Sequence, residues 1–439
     1  MDKDAKSCED ATAFSGQGEE IVDSKSVAVL GLGYVGMPLV DALVRSGHRV
    51  VGFDVSHHVV DGLRNGKSHI DDLTDVRINE LLERGFTPTN EASELAKCST
   101  FVICVPTPLS GHGGPDLKAV LDAGRLIAGV LKEGDLVVLE STSYPGTTER
   151  KLRPVLETSG LKAGGDFNLA FSPERIDPGN GTFRLSNTPK IVGGLTPACR
   201  DQAVAFYSDI VDEVVPADGL AEAEMAKLLE NTYRVVNIAL MNEMARFCHD
   251  LNINLWNAID CAATKPFGFQ AFYPGPGVGG HCIPVDPNYL SFHVRSEMGY
   301  TFRFVELAQE INNSMPQYVV RRIGDLLNRE RLSVHGAKIL LVGVTYKSDI
   351  ADLRETPANG VAKQLLRLGA EIEFLDPYVD SWMVDNTSVP KRTVMDAEGI
   401  DCVVFLQHHS GVQPSDLITG ARCVLDARGE LRLEDVEIL

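Results

Sequence analysis

No two of the nine cysteines (Cys8, Cys98, Cys104, Cys199, Cys248, Cys261, Cys282, Cys402 and Cys423) stand in C-x-x-C spacing. Thiols scattered in this way indicate neither a zinc site nor a disulfide framework, and no metal is expected. No apolar run approaches the roughly 20 residues that a bilayer span needs, so no membrane association is expected. The first 25 residues hold no apolar signal core; they are polar and acidic, and a disordered extension is expected there. With no secretion signal, a reduced cytoplasmic setting fits the dispersed cysteines. Basic charge is also short: 41 Lys and Arg face 61 Asp and Glu, a net charge of −20. That balance argues against nucleic acid or anionic membrane as a bulk partner, while a few local cations can still hold an anionic small molecule. What remains is globular: 44% hydrophobic, 23% charged, and at 439 residues long enough for two or three domains.

The first strong pattern is Ser26-Val-Ala-Val-Leu-Gly31-Leu-Gly33-Tyr-Val-Gly36, a buried-type strand running into G-x-G-x-x-G. A helical pattern follows from Pro38 to Ser46, then a second strand, Arg49 to Asp54. Strand, glycine turn, helix, strand and acidic residue is the context a dinucleotide fingerprint requires. Gly31 permits the tight turn, Gly33 lets backbone approach a pyrophosphate, and Gly36 lets helix and strand pack closely. The helix N-terminus then faces the phosphates. Asp54, 21 residues after Gly33, is placed to accept from the ribose hydroxyls. Neither Arg nor Lys follows it in Val55-Ser-His-His58, which favours NAD over NADP.

Thr100 to Val105 and Asp135 to Glu140 read as further strands, ending in Pro106-Thr107-Pro108 and Ser141-Thr142. Ligands of open α/β sheets bind at the carboxyl ends of strands, so Thr107, Ser141 and Thr142 sit where a nicotinamide could lie. Each hydroxyl could equally cap the next helix. Asn168 to Gly179 resembles another strand end carrying Glu174 and Arg175, and Thr188 to Gly194 one more strand, closing a first domain near residue 205. From Ala217 to Lys265 there is no proline and Gly219 is the only glycine. Apolar residues recur there at helical spacing (Met225, Leu228, Leu229, Val235, Val236, Ile238, Ala239, Met244, Phe247), the pattern of a long connector helix and a dimer surface. Lys227 and Asn231 are one turn apart on one face, near the apolar register.

After about Arg331 the α/β pattern restarts with strands at Ala337–Gly343, Glu371–Asp376, Asp401–Leu406 and Cys423–Asp426. Gly343-Val-Thr-Tyr-Lys347 replaces the glycine fingerprint, so this half reads as a Rossmann-like domain without dinucleotide binding. Lys347, Arg354 and Arg428 follow its strands, positions suited to an anionic nucleotide at a domain cleft. Between the halves lies Tyr273 to Pro287. Gly275, Gly277, Gly279 and Gly280 strip its backbone of side chains, and Pro274, Pro276 and Pro284 stiffen it. A close approach of this backbone to a ligand is expected. Lone cysteines are usually small buried hydrophobes. Cys282 on this loop, with His281 beside it and Asp286 four residues on, is instead a candidate nucleophile. A nicotinamide cofactor and a nucleophilic cysteine suggest an aldehyde dehydrogenase, or an alcohol dehydrogenase carried on through the aldehyde to the acid.

The chain resembles the UDP-glucose/GDP-mannose dehydrogenase family. The matching residues run in the family's order: Gly31-Leu-Gly-Tyr-Val-Gly36, Val105-Pro-Thr-Pro108, Glu140-Ser-Thr142, Ser172-Pro-Glu-Arg175, Glu224-Met-Ala-Lys-Leu-Leu-Glu-Asn231, the 273–287 stretch, Tyr346-Lys-Ser-Asp349, Asp352-Leu-Arg-Glu-Thr356 and Asp426-Ala-Arg428. The resemblance implies two Rossmann-like, doubly wound α/β domains (26–205 for NAD, 331–439 for the UDP-sugar) joined by a long central helical and dimerising segment, 206–330, in a homodimer or higher homo-oligomer. It implies four-electron oxidation of the C6 hydroxymethyl of a UDP-sugar to a carboxylate, with two NAD. Lys227 and Asp286, through a water, would handle the C6 proton, and Lys227 with Asn231 would stabilise the oxyanion. Cys282 would capture the aldehyde as a thiohemiacetal and carry the thioester. Glu174, with Thr142 positioning a water, would act as base for hydrolysis. Cofactor contacts would come from Gly31, Gly33, Tyr34, Val35, Gly36, Asp54, Pro106, Thr107, Ser141, Thr142 and Arg354. The sugar nucleotide would be held by Glu174, Arg175, Lys227, Asn231, Lys347, Arg428 and the loop residues Phe272, Tyr273, Gly275, Gly277, Gly279 and Gly280. The 172–180 and 272–282 stretches look more like the branch acting on UDP-N-acetylhexosamines, with UDP-N-acetylglucosamine ahead of UDP-N-acetylmannosamine and UDP-glucose. Two rivals differ in class: a nucleotide-sugar-binding module without turnover, and a two-electron dehydrogenase of the 6-phosphogluconate or hydroxyacid type, which would need neither Cys282 nor a second nucleotide domain.

Overall fold

A computed structural model describes residues 26–70, 73–109, 114–176, 182–280 and 286–439. The expectations for residues 1–25, His281 and Cys282 lie outside them. The first half forms an eight-stranded sheet in the order β3-β2-β1-β4-β5-β6-β7-β8. Its strands are β1 (Val27–Leu30), β2 (Val50–Phe53), β3 (Phe86–Thr89), β4 (Thr100–Ile103), β5 (Leu136–Leu139), β6 (Asn168–Phe171), β7 (Lys190–Gly194) and β8 (Val214–Pro216). All neighbours are parallel except β6 and β7. The continuous apolar runs Val-Ala-Val-Leu, Thr-Phe-Val-Ile and Leu-Val-Val-Leu are buried throughout, as strands covered on both faces must be. Strand order reverses between β1 and β4, which puts a crevice at their carboxyl ends. The boundary expected near residue 205 is too early. Residue 205 lies inside the Pro197–Ser208 helix, and β8 still pairs with β7 beyond it.

The second half carries a parallel sheet, β10-β9-β13-β14-β15, and a small hairpin, β11 (Trp382–Val384) with β12 (Thr387–Val389). Its strands are β9 (Lys338–Val342), β10 (Glu371–Leu375), β13 (Cys402–Phe405), β14 (Cys423–Asp426) and β15 (Glu437–Ile438). One turn of it repeats the first half down to its hydrogen bonds. Asp54, after β2, accepts from Leu32 N (2.9 Å) and Ser56 N (2.8 Å). Asp376, after β10, accepts from Val344 N (2.8 Å) and Tyr378 N (2.8 Å). The two copies then part. Asp376 is also met by the buried His409 imidazole at 3.1 Å, so the carboxylate that could take a ribose is already engaged.

Between the sheets runs a 31-residue connector helix, Leu220–Asp250, about 46 Å long at 1.5 Å per residue. The helical reading to Lys265 holds in two pieces. The chain turns at Asn252 (φ 54°), and Asn254 caps a second helix, Leu255–Ala263. Leu220 and Ala223 belong to a core cluster of the first sheet, while Met241, Ala245 and Cys248 belong to that of the second. One helix is thus shared by two cores, with its middle turns at the junction. The Arg303–Arg329 helix packs alongside it. The apolar register read from the sequence is only half buried. Leu228, Val235 and Ala239 face inward, but Met225, Leu229 and Phe247 are exposed, and the inward positions include Glu224, Lys227, Asn231, Thr232 and Asn242.

Candidate active site

The three fingerprint glycines meet three different surroundings. A Cβ on Gly31 (φ 96°) would lie 2.7 Å from the Cys104 carbonyl oxygen, and one on Gly36 would lie 1.9 Å from that of Gly31. One on Gly33 would meet nothing within 4 Å. The open side of the turn is therefore at Gly33, next to the Gly36–Arg45 helix, whose N-terminus has no side-chain cap. Bare backbone, uncapped amides and the Asp54 carboxylate nearby fit a dinucleotide. The hydroxyls at the strand ends have local duties. Thr107 donates to the Thr142 carbonyl (2.9 Å) and Ser141 to that of Val105 (2.7 Å), so both tie the β4 and β5 loops together rather than cap helices. Pro106 is exposed beside them.

A cleft of about 790 Å³ opens between the domains. One wall is a face of the connector helix: Lys227, Glu230, Asn231, Arg234 and Ile238, at spacings of three and four, all line it. Lys227 Nζ donates to the Glu174 carbonyl (2.7 Å) and sits 3.2 Å from Glu174 Oε2, with both residues buried. Asn231 Nδ2 donates to Asp286 Oδ2 at 2.6 Å. Asp286 is the first described residue of a later helix, Asp286–Met298. Burial pushes its carboxyl up to about 7, against the opposing pull of Lys227 and the Asn231 hydrogen bond. A carboxyl poised there can both take and return a proton near neutrality. Arg175 extends from the same loop as Glu174 to the Pro189 carbonyl (2.7 Å) and to Glu230.

The opposite wall comes from the second domain: Tyr346, Lys347, Ser348, Arg354, Gln407 and Arg428. Arg354 is held by Asp352, and its guanidinium lies 5.4 Å from the centroid of the Tyr34 ring in the glycine loop, a cation–π contact across the cleft. Arg428 is held by the Leu406 carbonyl (3.1 Å) and Gln407. The glycine-rich stretch departs from its expected use. A Cβ on Gly279 would meet Tyr346 Cβ at 2.7 Å, one on Gly280 the Tyr346 ring at 2.7 Å, and one on Gly277 Pro357 at 3.2 Å. These glycines let the loop press against the second domain, while Gly275, Gly277, Gly279 and Gly280 also line the cleft. Gly275 N is fixed by Asn242 (2.9 Å), itself bonded to Asn312. Tyr273 lines the cleft and donates to Asp260 (2.8 Å). Phe272 does not line it. Its ring packs on the core and meets Tyr233 edge-on at 5.7 Å. Thr107, Ser141 and Thr142 likewise stand outside the cleft, on the side of the strand ends.

Sequence reasoning assigned no role to Glu224, although it lies one turn before Lys227. Its buried carboxylate accepts from Gly146 N (2.5 Å), Thr148 N (2.9 Å) and Thr148 Oγ1 (2.6 Å), fastening the loop after β5 to the connector helix. Glu230 and Arg234 were missed too; their spacing from Lys227 on one helix face was the available signal. Tyr346 stands in the Tyr346-Lys-Ser-Asp349 stretch beside Lys347 but was given no role of its own; Gln407 carried no signal, because only folding brings it to the cleft.

A dinucleotide turn in one α/β domain faces, across one cleft, a second α/β domain in which His409 engages the carboxylate that corresponds to Asp54, the arrangement of a two-domain dinucleotide-dependent dehydrogenase. The chain belongs to the UDP-glucose/GDP-mannose dehydrogenase family: its NAD-binding, central and UDP-binding domain models match residues 25–211, 221–314 and 340–432. It is an NAD-dependent UDP-sugar dehydrogenase, an oxidoreductase. UDP-N-acetyl-D-glucosamine 6-dehydrogenase of Pseudomonas aeruginosa is 38% identical over 359 residues, covering 81% of this chain and 83% of that protein. UDP-N-acetyl-D-mannosamine dehydrogenase of Methanococcus maripaludis is 36% identical, covering 88% and 87%. The structure of the UDP-N-acetylmannosamine dehydrogenase of Pyrococcus horikoshii superimposes with a TM-score of 0.85 at 33% identity, over 94% of this chain and 98% of that one. Among the described residues, no helix is long and apolar enough to cross a membrane.

Proposed function

We propose that the chain oxidises the C6 hydroxymethyl of UDP-N-acetylglucosamine to the uronic acid, through a thiohemiacetal and a thioester on Cys282. The observation that carries the reading is the pairing of Lys227 with Glu174 and of Asn231 with Asp286 on one face of the connector helix, at the junction of the two domains. Bound NAD supplies the hydride acceptor, once for each oxidation. Asp286, whose carboxyl titrates near neutrality, takes the C6 hydroxyl proton through a water. Lys227 and Asn231 stabilise the negative charge on the C6 oxygen. The Cys282 thiolate adds to the aldehyde and holds it until the second oxidation. Glu174 then removes a proton from the water that cleaves the thioester. Lys347, Arg428 and the Gly275–Gly280 backbone hold the nucleotide, and Arg354 reaches the NAD diphosphate beside Tyr34.

UDP-N-acetylmannosamine is the second reading, favoured by the likeness to the P. horikoshii enzyme. We infer a homodimer or higher oligomer, supported by Met225, Leu229, Tyr233 and Phe247, exposed along the connector helix. Seven described cysteines are unpaired, which supports a reducing, cytoplasmic setting. The three family segments suggest a division of labour: cofactor before the connector helix, assembly and proton handling along it, UDP beyond it. The deciding experiment measures NADH released per UDP-sugar consumed, with UDP-N-acetylglucosamine, UDP-N-acetylmannosamine and UDP-glucose side by side. Two NADH from one preferred sugar, abolished by Cys282→Ala, is the expected result. One NADH per sugar, or activity indifferent to Cys282→Ala, overturns the thioester route.

A further inference from the structure

Beneath the carboxyl edge of the first sheet lies an ion pair that the chemistry above does not use. Lys190, the first residue of β7, and Glu140, the residue after β5, are each 1% exposed, and Lys190 Nζ stands 3.0 Å from Glu140 Oε1. The Tyr207 hydroxyl donates to the same Glu140 oxygen at 2.5 Å, and the Lys190 ammonium lies 5.0 Å from the Tyr207 ring centroid. Lys190 Nζ also donates to the Pro173 carbonyl at 3.3 Å. The very next carbonyl, that of Glu174, is held by Lys227 at 2.7 Å. Two lysines from different elements therefore grip consecutive peptide groups of the loop that presents Glu174.

Burying an ion pair this deeply contributes little to stability, and apolar residues of equal volume often do as well. Its placement suggests a different use. Glu140 continues directly into Ser141 and Thr142 at the end of β5, and Lys190 reaches the loop after β6, so the pair fixes one strand end relative to the other. Tyr207 ties both to the Pro197–Ser208 helix behind the sheet. A buried network whose members are all bonded is stiff, and it specifies one arrangement of the groups attached to it.

We propose that Lys190, braced by Glu140 and Tyr207, is a positioning residue for Glu174 in the hydrolytic half of the reaction. The inference rests on the thioester reading. In that step a water oxygen bonds to the thioester carbonyl carbon and the C–S bond breaks. Cys282 leaves as thiolate, Glu174 takes one water proton, and the carboxylic acid product ionises to release the other. The geometry this demands of Glu174 is strict, because the base must meet a water lined up on the carbonyl. The oxidations rely on Lys227, Asn231 and Asp286, none of which Lys190 touches.

Lys190→Met alone leaves the buried Glu140 without its cation, so the informative variant is Glu140→Gln/Lys190→Met, with Lys190→Arg as the conservative control. Full-length enzyme is mixed rapidly with NAD and UDP-N-acetylglucosamine, quenched with acid and weighed intact. The double variant is expected to release its first two NADH at close to the parent rate and then turn over about 100-fold more slowly. A sugar-nucleotide acyl adduct accumulates on the protein, while kcat/KM for the sugar stays within about twofold, because it reports only steps before the slow one. Lys190→Arg restores turnover. If the double variant does not fold, Tyr207→Phe, which keeps the ion pair and removes one donor, gives a smaller change of the same kind. Equal slowing of the burst and of turnover, or unchanged turnover in a folded variant, overturns the role of Lys190. Glu174→Gln separates the two ideas. An adduct there but not in the Lys190 variants overturns only this inference, and an adduct in neither overturns the thioester reading and this inference with it.

Discussion

Gly33 and Gly36 are three residues apart in one motif, yet alanine should act on them in opposite ways. At Gly36 the new methyl would lie 1.9 Å from a backbone oxygen, so Gly36→Ala should lower the melting temperature and the yield of folded protein. At Gly33 the methyl meets no protein atom within 4 Å, so Gly33→Ala should melt like the parent and raise KM for NAD at least tenfold, about 1.4 kcal/mol or more. Asp286 supplies a pH prediction. Its carboxyl, raised to about 7 by burial, keeps its proton below that pH and is ionised above it. A base must be ionised, so kcat should climb with pH through about 7. Asp286→Asn should lose that limb and about 100-fold in rate, which a pH–rate profile would show. Stability carries the matching sign. A carboxyl whose value is raised on folding contributes stability that is full below its ordinary value of 3.8 and is lost as pH rises from there through about 7. Asp286→Asn should therefore melt with less pH dependence across this range. Residue by residue, the Gly31–Gly36 turn and Asp54 were legible, because a dinucleotide turn needs particular residue types at fixed spacing. The local ties of Thr107 and Ser141 were not, because a hydroxyl at a strand end serves a ligand, a helix cap or a neighbouring carbonyl equally well.

The connector helix is the element on which sequence periodicity misled. Periodicity assigns apolar residues to the inside, but this helix buries Glu224, Lys227, Asn231 and Asn242 and leaves Leu229 64% exposed. Burying polar groups is costly unless each finds a partner, and the partners here come from other elements. Glu224 illustrates the cost. Glu224→Ala would leave Gly146 N, Thr148 N and the Thr148 hydroxyl without their acceptor, and should destabilise the protein by about 3 kcal/mol, measurable by denaturant unfolding. Because that loop follows Thr142, activity should fall as well. The glycine-rich stretch misled in another way. Bare backbone signals close approach, and the approach is real, but much of it is to Tyr346 and Pro357 rather than to a ligand.

Across the whole molecule, the two halves meet where Arg354 stacks over Tyr34. If that contact helps close the cleft on the cofactor, Arg354→Ala should raise KM for NAD about tenfold and leave the melting temperature near the parent value, since cation–π contacts of this kind contribute about 0.5–2 kcal/mol. Tyr34→Phe should keep most of the effect and Tyr34→Ala should lose it. Assembly is tested by Leu229→Asp with Phe247→Asp, which should shift the sedimentation coefficient toward a monomer; an unchanged value would place the interface elsewhere. By itself the sequence determined the two α/β halves, the cofactor turn, the long helix between them and most of the residues that converge on the cleft. Those features rest on local residue type and spacing, which act over a few residues. Only the tertiary structure decided that one helix joins two cores, that Lys227 meets Glu174 and Asn231 meets Asp286, and that the second domain's Asp376 is engaged by His409. Each of these joins residues tens to hundreds of positions apart, and no local pattern encodes which distant partner satisfies a buried charge.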